Sequence, residues 1–219
     1  DVGPIVHGDD PILADGVVHY LGQPMFAVIA ADRRIARRVA ARAKEFVTIL
    51  PLPALLTARD AHAAKSYVVP PMHLSRGDAQ AALEAAPHRF KDALSIGGQE
   101  QFYLEGQISY AIPLEDDTML VHCSTQHPSE MQHAVAHVLG LRANQVQVQC
   151  RRMGGGFGGK ESQSALFACI AAVAAAKLQR PVKLRLDRDD DFLITGRRHG
   201  FSYDWEVGYD DDGRVLGAE

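Results

Sequence analysis

The chain has 219 residues, 47% of them hydrophobic, enough to bury a sizeable core in one large domain or two small ones. A net charge of −4 gives bulk electrostatics no reason to hold nucleic acid, and no run of about 18 apolar residues exists to cross a membrane. The three cysteines, Cys123, Cys150 and Cys169, form no C-x-x-C pair. They write neither a zinc site nor an iron–sulfur cluster, and reduced thiols in a cytoplasmic protein are expected.

The chain opens Asp1-Val2-Gly3-Pro4, with no secretory signal and no initiating Met. Residues 17–21 and 25–30 read as strands flanking Gly22-Gln23-Pro24. Asp32 caps a helix over 33–46, in which Ile35, Val39, Ala43 and Phe46 follow helical spacing and Arg33, Arg34, Arg37, Arg38 and Arg42 form a solvated face. Residues 54–76 read as a connecting stretch broken by Pro70-Pro71. Arg76-Gly77-Asp78 matches an adhesion tripeptide, but Asp78 reads better as the cap of a short helix over 79–85.

A second part begins near Gly77. Strands are expected at 90–96 and 100–112, the latter with Phe102, Leu104, Ile108 and Tyr110 in a two-residue period broken at Gly106. A strand at 119–124 leads to a helix over 128–139, with Pro128 at its start and Gly140 just past its end. Then follow a strand at 145–151, an Ala-rich helix at 162–178, and strands at 182–186 and 201–209. Asp189-Asp190-Asp191 reads as a charged helix start. Asp210-Asp211-Asp212-Gly213 is a turn, and Arg214-Val215-Leu216 begins a return strand, so a hairpin is caught midway and the chain is expected to be a piece of a longer protein. The interleaving of strands and helices, not in a strict βαβ series, gives an α+β fold.

Between the strand at 145–151 and the following helix lies Gly154-Gly155-Gly156-Phe157-Gly158-Gly159-Lys160-Glu161, with five glycines in its first six positions. Such bare backbone bends through positive φ and brings N–H groups close to a ligand at the positive end of a helix. The run fits most of the P-loop pattern, G-x-x-x-x-G-K-[ST]. Its last position is Glu161 rather than a Mg²⁺-binding hydroxyl, and a carboxylate there repels triphosphate, which disfavours an NTPase. Ser124-Thr125-Gln126 joins a strand to a helix start, where a loop can aim the Gln126 amide at a ligand. His133 and His137 share a helix face but lack the Glu of a zinc protease motif, so surface histidines are expected.

Taken together, Gly97-Gly98-Gln99-Glu100-Gln101-Phe102-Tyr103-Leu104-Glu105, Ser124-Thr125-Gln126, the stretch from Arg152 to Glu161, and Asp187-Arg188-Asp189 resemble the molybdopterin-binding part of the xanthine dehydrogenase/aldehyde oxidase family of molybdenum hydroxylases. The likeness extends over essentially the whole chain. It implies residues 1–60 as the C-terminal half of a hammerhead-type α/β domain, 61–76 as a connecting segment, and 77–219 as the N-terminal part of the molybdopterin-binding domain. It implies Gln126 as the amide that bonds the apical oxo ligand of molybdenum, with no side chain here ligating the metal directly. Gly156, Phe157 and Gly158 would lie against the cofactor, and Glu161 would be the active-site carboxylate that orients a purine.

Because aldehyde-specialised relatives tend to carry a neutral residue at the position of Glu161, the resemblance favours hypoxanthine or xanthine over an aldehyde or another N-heterocycle. Electrons would pass to [2Fe–2S] clusters, FAD and NAD held by other domains or subunits of an oligomeric enzyme. Gln101 departs from the family pattern, standing where many relatives have His, and the marked Cys motif of carbon monoxide dehydrogenases is absent. The family's second substrate-binding Arg and catalytic base Glu would lie beyond Glu219, so the isolated chain is expected to be inactive.

Overall fold

A computed structural model describes residues 10–219; the opening Asp1-Val2-Gly3-Pro4 and the start of the expected 1–60 segment lie outside them. The first helix, α1 (Arg33–Ala40), begins where Asp32 holds extended backbone and its carboxylate accepts from Arg34 N at 2.7 Å. It does not run on to residue 46: a separate 3₁₀ turn spans Ala43–Glu45. None of its residues is buried, so burial of its apolar stripe does little to extend it; Phe46, beyond its end, meets Phe26 edge to face with ring centroids 5.5 Å apart. The arginines of α1 are exposed, as expected, and two of them, Arg33 and Arg37, pair with Asp187.

The strands expected at 17–21 and 25–30 do not form. A strand requires a ladder partner, and among the described residues this region has only short-range links, such as Ala14 N to the Pro24 carbonyl at 2.7 Å. Conversely, the stretch 54–76 contains a helix, α2 (Ala58–Ala63), started by Thr57: its hydroxyl accepts from Asp60 N at 3.0 Å and donates to the Asp60 carboxylate at 2.7 Å. This reciprocal cap was present in the sequence as Thr57-x-x-Asp60. Helix α3 (Ala79–Ala85) starts at Asp78 as expected.

The remaining elements are β1 (His88–Ile96), β2 (Ile108–Pro113), β3 (Met119–Cys123), α4 (Pro128–Leu139), β4 (Val146–Gln149), α5 (Ser164–Leu178), β5 (Val182–Arg185), α6 (Arg188–Ile194), β6 (Phe201–Tyr209) and β7 (Val215–Ala218). They fall into two compact units. In one, formed by Ile49–Gln99 and Arg198–Glu219, the antiparallel sheet β1-β6-β7 pairs β1 with β6 from His88↔Tyr209 to Ile96↔Phe201. Buried Leu83 of α3 lies on this sheet at Gly208 and Gly217. The approach is close: a Cβ added at Gly208 would stand 2.7 Å from that of Ala86.

The other unit holds Glu100–Arg197 and the described residues up to Thr48. Its sheet has the order β4-β3-β2-β5, with β3 and β4 parallel and the other pairs antiparallel. The parallel pair requires a crossover, which α4 provides; Gly140, at φ +66°, closes that helix in the left-handed conformation. Helices α4 and α5 pack with the sheet around a core that includes Ala111, Val121, Met131, Val135, Ala168 and Cys169. The alanines of α5 let it lie close to the strands.

All three cysteines are free. Burial pushes the thiols of Cys123 and Cys169 up to about 11 and about 12. Among the described residues, no helix is long and apolar enough to cross a membrane.

Candidate functional site at the glycine loop

β3 and β4 run parallel, so the segments that leave their C-terminal ends lie side by side. One is Ser124-Thr125-Gln126, before α4; the other runs from Cys150 through the glycines to α5. The two segments are joined through the Gln126 side chain. Its Oε1 accepts from Gly158 N at 3.0 Å and from Lys160 N at 3.2 Å, while its backbone N–H donates to the Lys160 carbonyl at 2.7 Å. With Oε1 committed to the loop, Nε2 makes no hydrogen bond to the described residues.

Glycine is required here for contact as well as for curvature. A Cβ at Gly156 would lie 2.4 Å from Gln126 Oε1, and one at Gly159 would lie 2.6 Å from the Tyr103 ring. Gly155, Phe157 and Gly158 take φ of +95°, +53° and +86°. The N–H groups of Gly155, Gly156 and Phe157 have no hydrogen-bond acceptor among the described residues, whereas Gly158 N is already taken by Gln126. The Phe157 side chain is 75% exposed, far more than a core aromatic would be. Glu161 follows at the surface with no partner among the described residues. The expected site residues Gln126, Gly156, Phe157, Gly158 and Glu161 are therefore on one loop pair.

Beneath the loop is a polar layer that sequence reading missed. The segment 100–107 is not the strand its alternation suggested: Phe102 takes φ +52°, and β2 begins only at Ile108. Its alternate residues turn inward for polar contacts instead. Tyr103 Oη donates to Asp191 Oδ1 at 2.5 Å and accepts from Gln107 Nε2 at 3.1 Å. Gln107 Nε2 also donates to the Gly159 carbonyl at 2.9 Å, and Gln107 N donates to Asp191 Oδ2 at 2.7 Å. Burial, reinforced by the bond to Asp191, pushes the Tyr103 phenol up to about 12. Asp191 is thus a buried acceptor under the loop, not merely one charge of a helix start.

Lys160, the P-loop-like lysine, is fully buried. Its Nζ donates to Ser124 Oγ at 2.8 Å, reaches Glu105 Oε2 at 3.4 Å, and lies 4.7 Å above the Tyr103 ring. Glu105 Oε2 also accepts from Ser124 Oγ and Gly154 N, each at 2.8 Å. Burial lowers the Lys160 pKa against the pull of Glu105. At Glu105, burial acts to raise the pKa, but the bonds from Gly154 N and Ser124 and the nearby ammonium bring it below the usual carboxylate value. A lysine so engaged is not presented to a phosphate, which removes the P-loop reading along with Glu161. No local signal in the sequence links Lys160 to Glu105, 55 positions away.

Among the described residues, no group of three His, Cys, Asp or Glu is set to hold a metal ion, and His133 and His137 are exposed on α4. A cleft of about 590 Å³ is lined by residues that include Tyr110, His122, Cys150 and Lys183; it borders Glu105 and Ser124 but not Gln126, Phe157 or Glu161.

The profile of the molybdopterin cofactor-binding domain family matches residues 61–219. The xanthine dehydrogenase of Drosophila pseudoobscura pseudoobscura is 40% identical over 221 aligned residues, covering 100% of this chain and 16% of that protein. Nicotinate hydroxylase hnxS of Emericella nidulans is likewise 40% identical, covering 98% of this chain and 16% of its own length. Among solved structures, quinoline 2-oxidoreductase from Pseudomonas putida 86 shares the fold, with a TM-score of 0.83 at 22% identity over 95% of this chain and 27% of that one. This chain therefore spans about 16% of the length of these curated relatives. It belongs to the molybdopterin cofactor-binding domain family, within the xanthine dehydrogenase/aldehyde oxidase group of molybdenum hydroxylases.

Proposed function

We propose that the glycine loop and Gln126 form one wall of the molybdenum site of a purine hydroxylase acting on hypoxanthine or xanthine. The observation that carries this reading is the Gln126 amide, whose oxygen is consumed by the loop and whose nitrogen is left to donate. An amide donor suits an oxo group, which accepts hydrogen bonds, and does not compete as a metal ligand. The acceptor-free N–H groups of Gly155, Gly156 and Phe157 suit an anionic, oxygen-rich cofactor. The residues present thus fit molybdopterin, with Gln126, Gly156, Phe157 and Gly158 holding it. Bound there, it supplies the redox chemistry of hydroxylation.

Glu161 would orient the purine by accepting from a ring N–H. The remaining site walls, with the second substrate-binding Arg and the base, would come from other segments. The [2Fe–2S], FAD and NAD sites would belong to other domains or subunits of a cytoplasmic, oligomeric enzyme. Residues 1–60 would be the second half of the hammerhead domain, 61–76 the connection, and 77–219 the opening of the cofactor-binding domain.

A second reading, oxidation of an aldehyde or a non-purine N-heterocycle, is favoured by the equal 40% identity to a nicotinate hydroxylase. Assaying the full-length protein with xanthine, nicotinate and an aromatic aldehyde separates the two. Urate formation at the highest kcat/KM supports the purine reading, and preference for either other substrate overturns it.

A further inference from the structure

We infer that Lys160 is a positioning residue, whose buried ammonium clamps the glycine loop against the segment carrying Gln126 and so fixes the direction of the Gln126 amide. This rests on the reading of Gln126 as the donor to the cofactor. Lys160 touches every residue of Ser124-Thr125-Gln126. Its Nζ holds Ser124 Oγ at 2.8 Å, and its carbonyl accepts from Thr125 Oγ1 at 3.0 Å and Gln126 N at 2.7 Å. Its N–H donates to Gln126 Oε1 at 3.2 Å. The same carbonyl accepts from Ser164 Oγ at 3.3 Å, which ties the clamp to the first turn of α5.

The direction of the hydrogen-bond chain follows from donor chemistry. An ammonium only donates, so Ser124 must accept from Lys160 and pass its own proton toward Glu105 Oε2, at 2.8 Å. Glu105 then grips the start of the loop from both sides of its own residue: the carboxylate accepts from Gly154 N, and Glu105 N donates to the Gly154 carbonyl at 3.1 Å. Lys160 and Glu105 thereby hold opposite ends of the glycine run while the amides of Gly155, Gly156 and Phe157 stay free. An apolar side chain at 160 would fill the space but leave Ser124 and Glu105 without their shared donor.

The test uses the full-length molybdenum-loaded enzyme with Lys160→Met/Glu105→Gln, which removes both charges together, and with Ser124→Ala as a milder variant. Amide hydrogen exchange is followed for residues 154–160 and for the core of α5, and the Mo(V) electron paramagnetic resonance spectrum is recorded at matched metal content. Exchange in the loop is expected to rise about ten-fold or more in the double variant, and less in Ser124→Ala, with α5 unchanged. The Mo(V) spectrum should change and kcat should fall more than KM moves. Unchanged loop exchange in both variants overturns the clamp, as does equal acceleration across α5. A loosened loop with a wild-type Mo(V) spectrum supports the clamp and instead contradicts the cofactor role of Gln126.

Discussion

Tyr103 donates its phenol to Asp191 at 2.5 Å, joining the segment before β2 to the inner side of α6 beneath the glycine loop. The buried phenol has its pKa raised from 10.0 to about 12. The sign follows directly. A phenol whose folded value is raised contributes stability that is fully present below pH 10 and is lost as pH rises toward 12. Thermal midpoints measured across this alkaline window should fall for the wild type and fall less for Tyr103→Phe. The substitution itself should cost about 1–3 kcal/mol at neutral pH, because Asp191 and Gln107 lose a shared partner. Parallel alkaline profiles for the two proteins would contradict the assignment.

Glu105 gives the acid counterpart. Its carboxyl sits below the ordinary value of 4.5, so the stability it contributes is present above that value and lost as pH falls through its folded-state pKa. Stability should therefore drop as pH falls below about 4.5, and Glu105→Gln should flatten that part of the curve. Chemical denaturation at several pH values checks this; an acid limb of the same slope in the variant would show that another group is responsible.

Glu161 bears on substrate choice. It is exposed beside the loop, so Glu161→Val should leave the fold intact. Losing a charged hydrogen bond worth about 1.5–3 kcal/mol should lower kcat/KM for xanthine about ten- to a hundred-fold. An aromatic aldehyde never uses that contact, so its kcat/KM should hold or rise. The ratio measured at matched molybdenum content is diagnostic, and an equal loss for both substrates removes Glu161 from purine recognition.

The elements read correctly from the sequence are those governed by local chemistry. Asp78, Pro128 and Gly140 mark helix ends through their own caps, and each lies where expected. The glycine run stood out because so many bare positions in one loop have few other uses; Gln126 stood out only as a loop residue between a strand and a helix start, and its proposed role came from the family resemblance. The residues that hold the site were not legible, since their partners are distant in the chain. Gln107 meets Gly159 across 52 positions and Tyr103 meets Asp191 across 88. The alternation of Phe102, Leu104 and Ile108 mimicked a strand, but the buried hydrogen bonds of Tyr103 and Gln107 decide the backbone there. The segments 17–21 and 25–30 have strand-like composition without a ladder partner among the described residues.

The 219-residue chain expressed alone should neither retain molybdenum in stoichiometric amount nor oxidise xanthine. On the proposed reading, Gln126, the loop and Glu161 would supply only one side of a site that must enclose a large anionic group. Metal analysis of the purified chain and a urate assay check this, and stoichiometric molybdenum or measurable turnover would contradict it.

Gln126 offers the most direct test, because its observed loop contact and its proposed donor role fall on different atoms. Oε1 holds the loop through Gly158 N and Lys160 N, and Nε2 is free to donate. Gln126→Ala removes both functions and should loosen the loop by about 1–3 kcal/mol. Gln126→Glu keeps the acceptor and removes the donor. The decisive measurement is the Mo(V) electron paramagnetic resonance spectrum of full-length Gln126→Glu beside wild type, at equal molybdenum content and with thermal stability recorded. The prediction is near-wild-type stability with an altered spectrum and depressed kcat; an unchanged spectrum with normal turnover would show that Gln126 does not face the molybdenum.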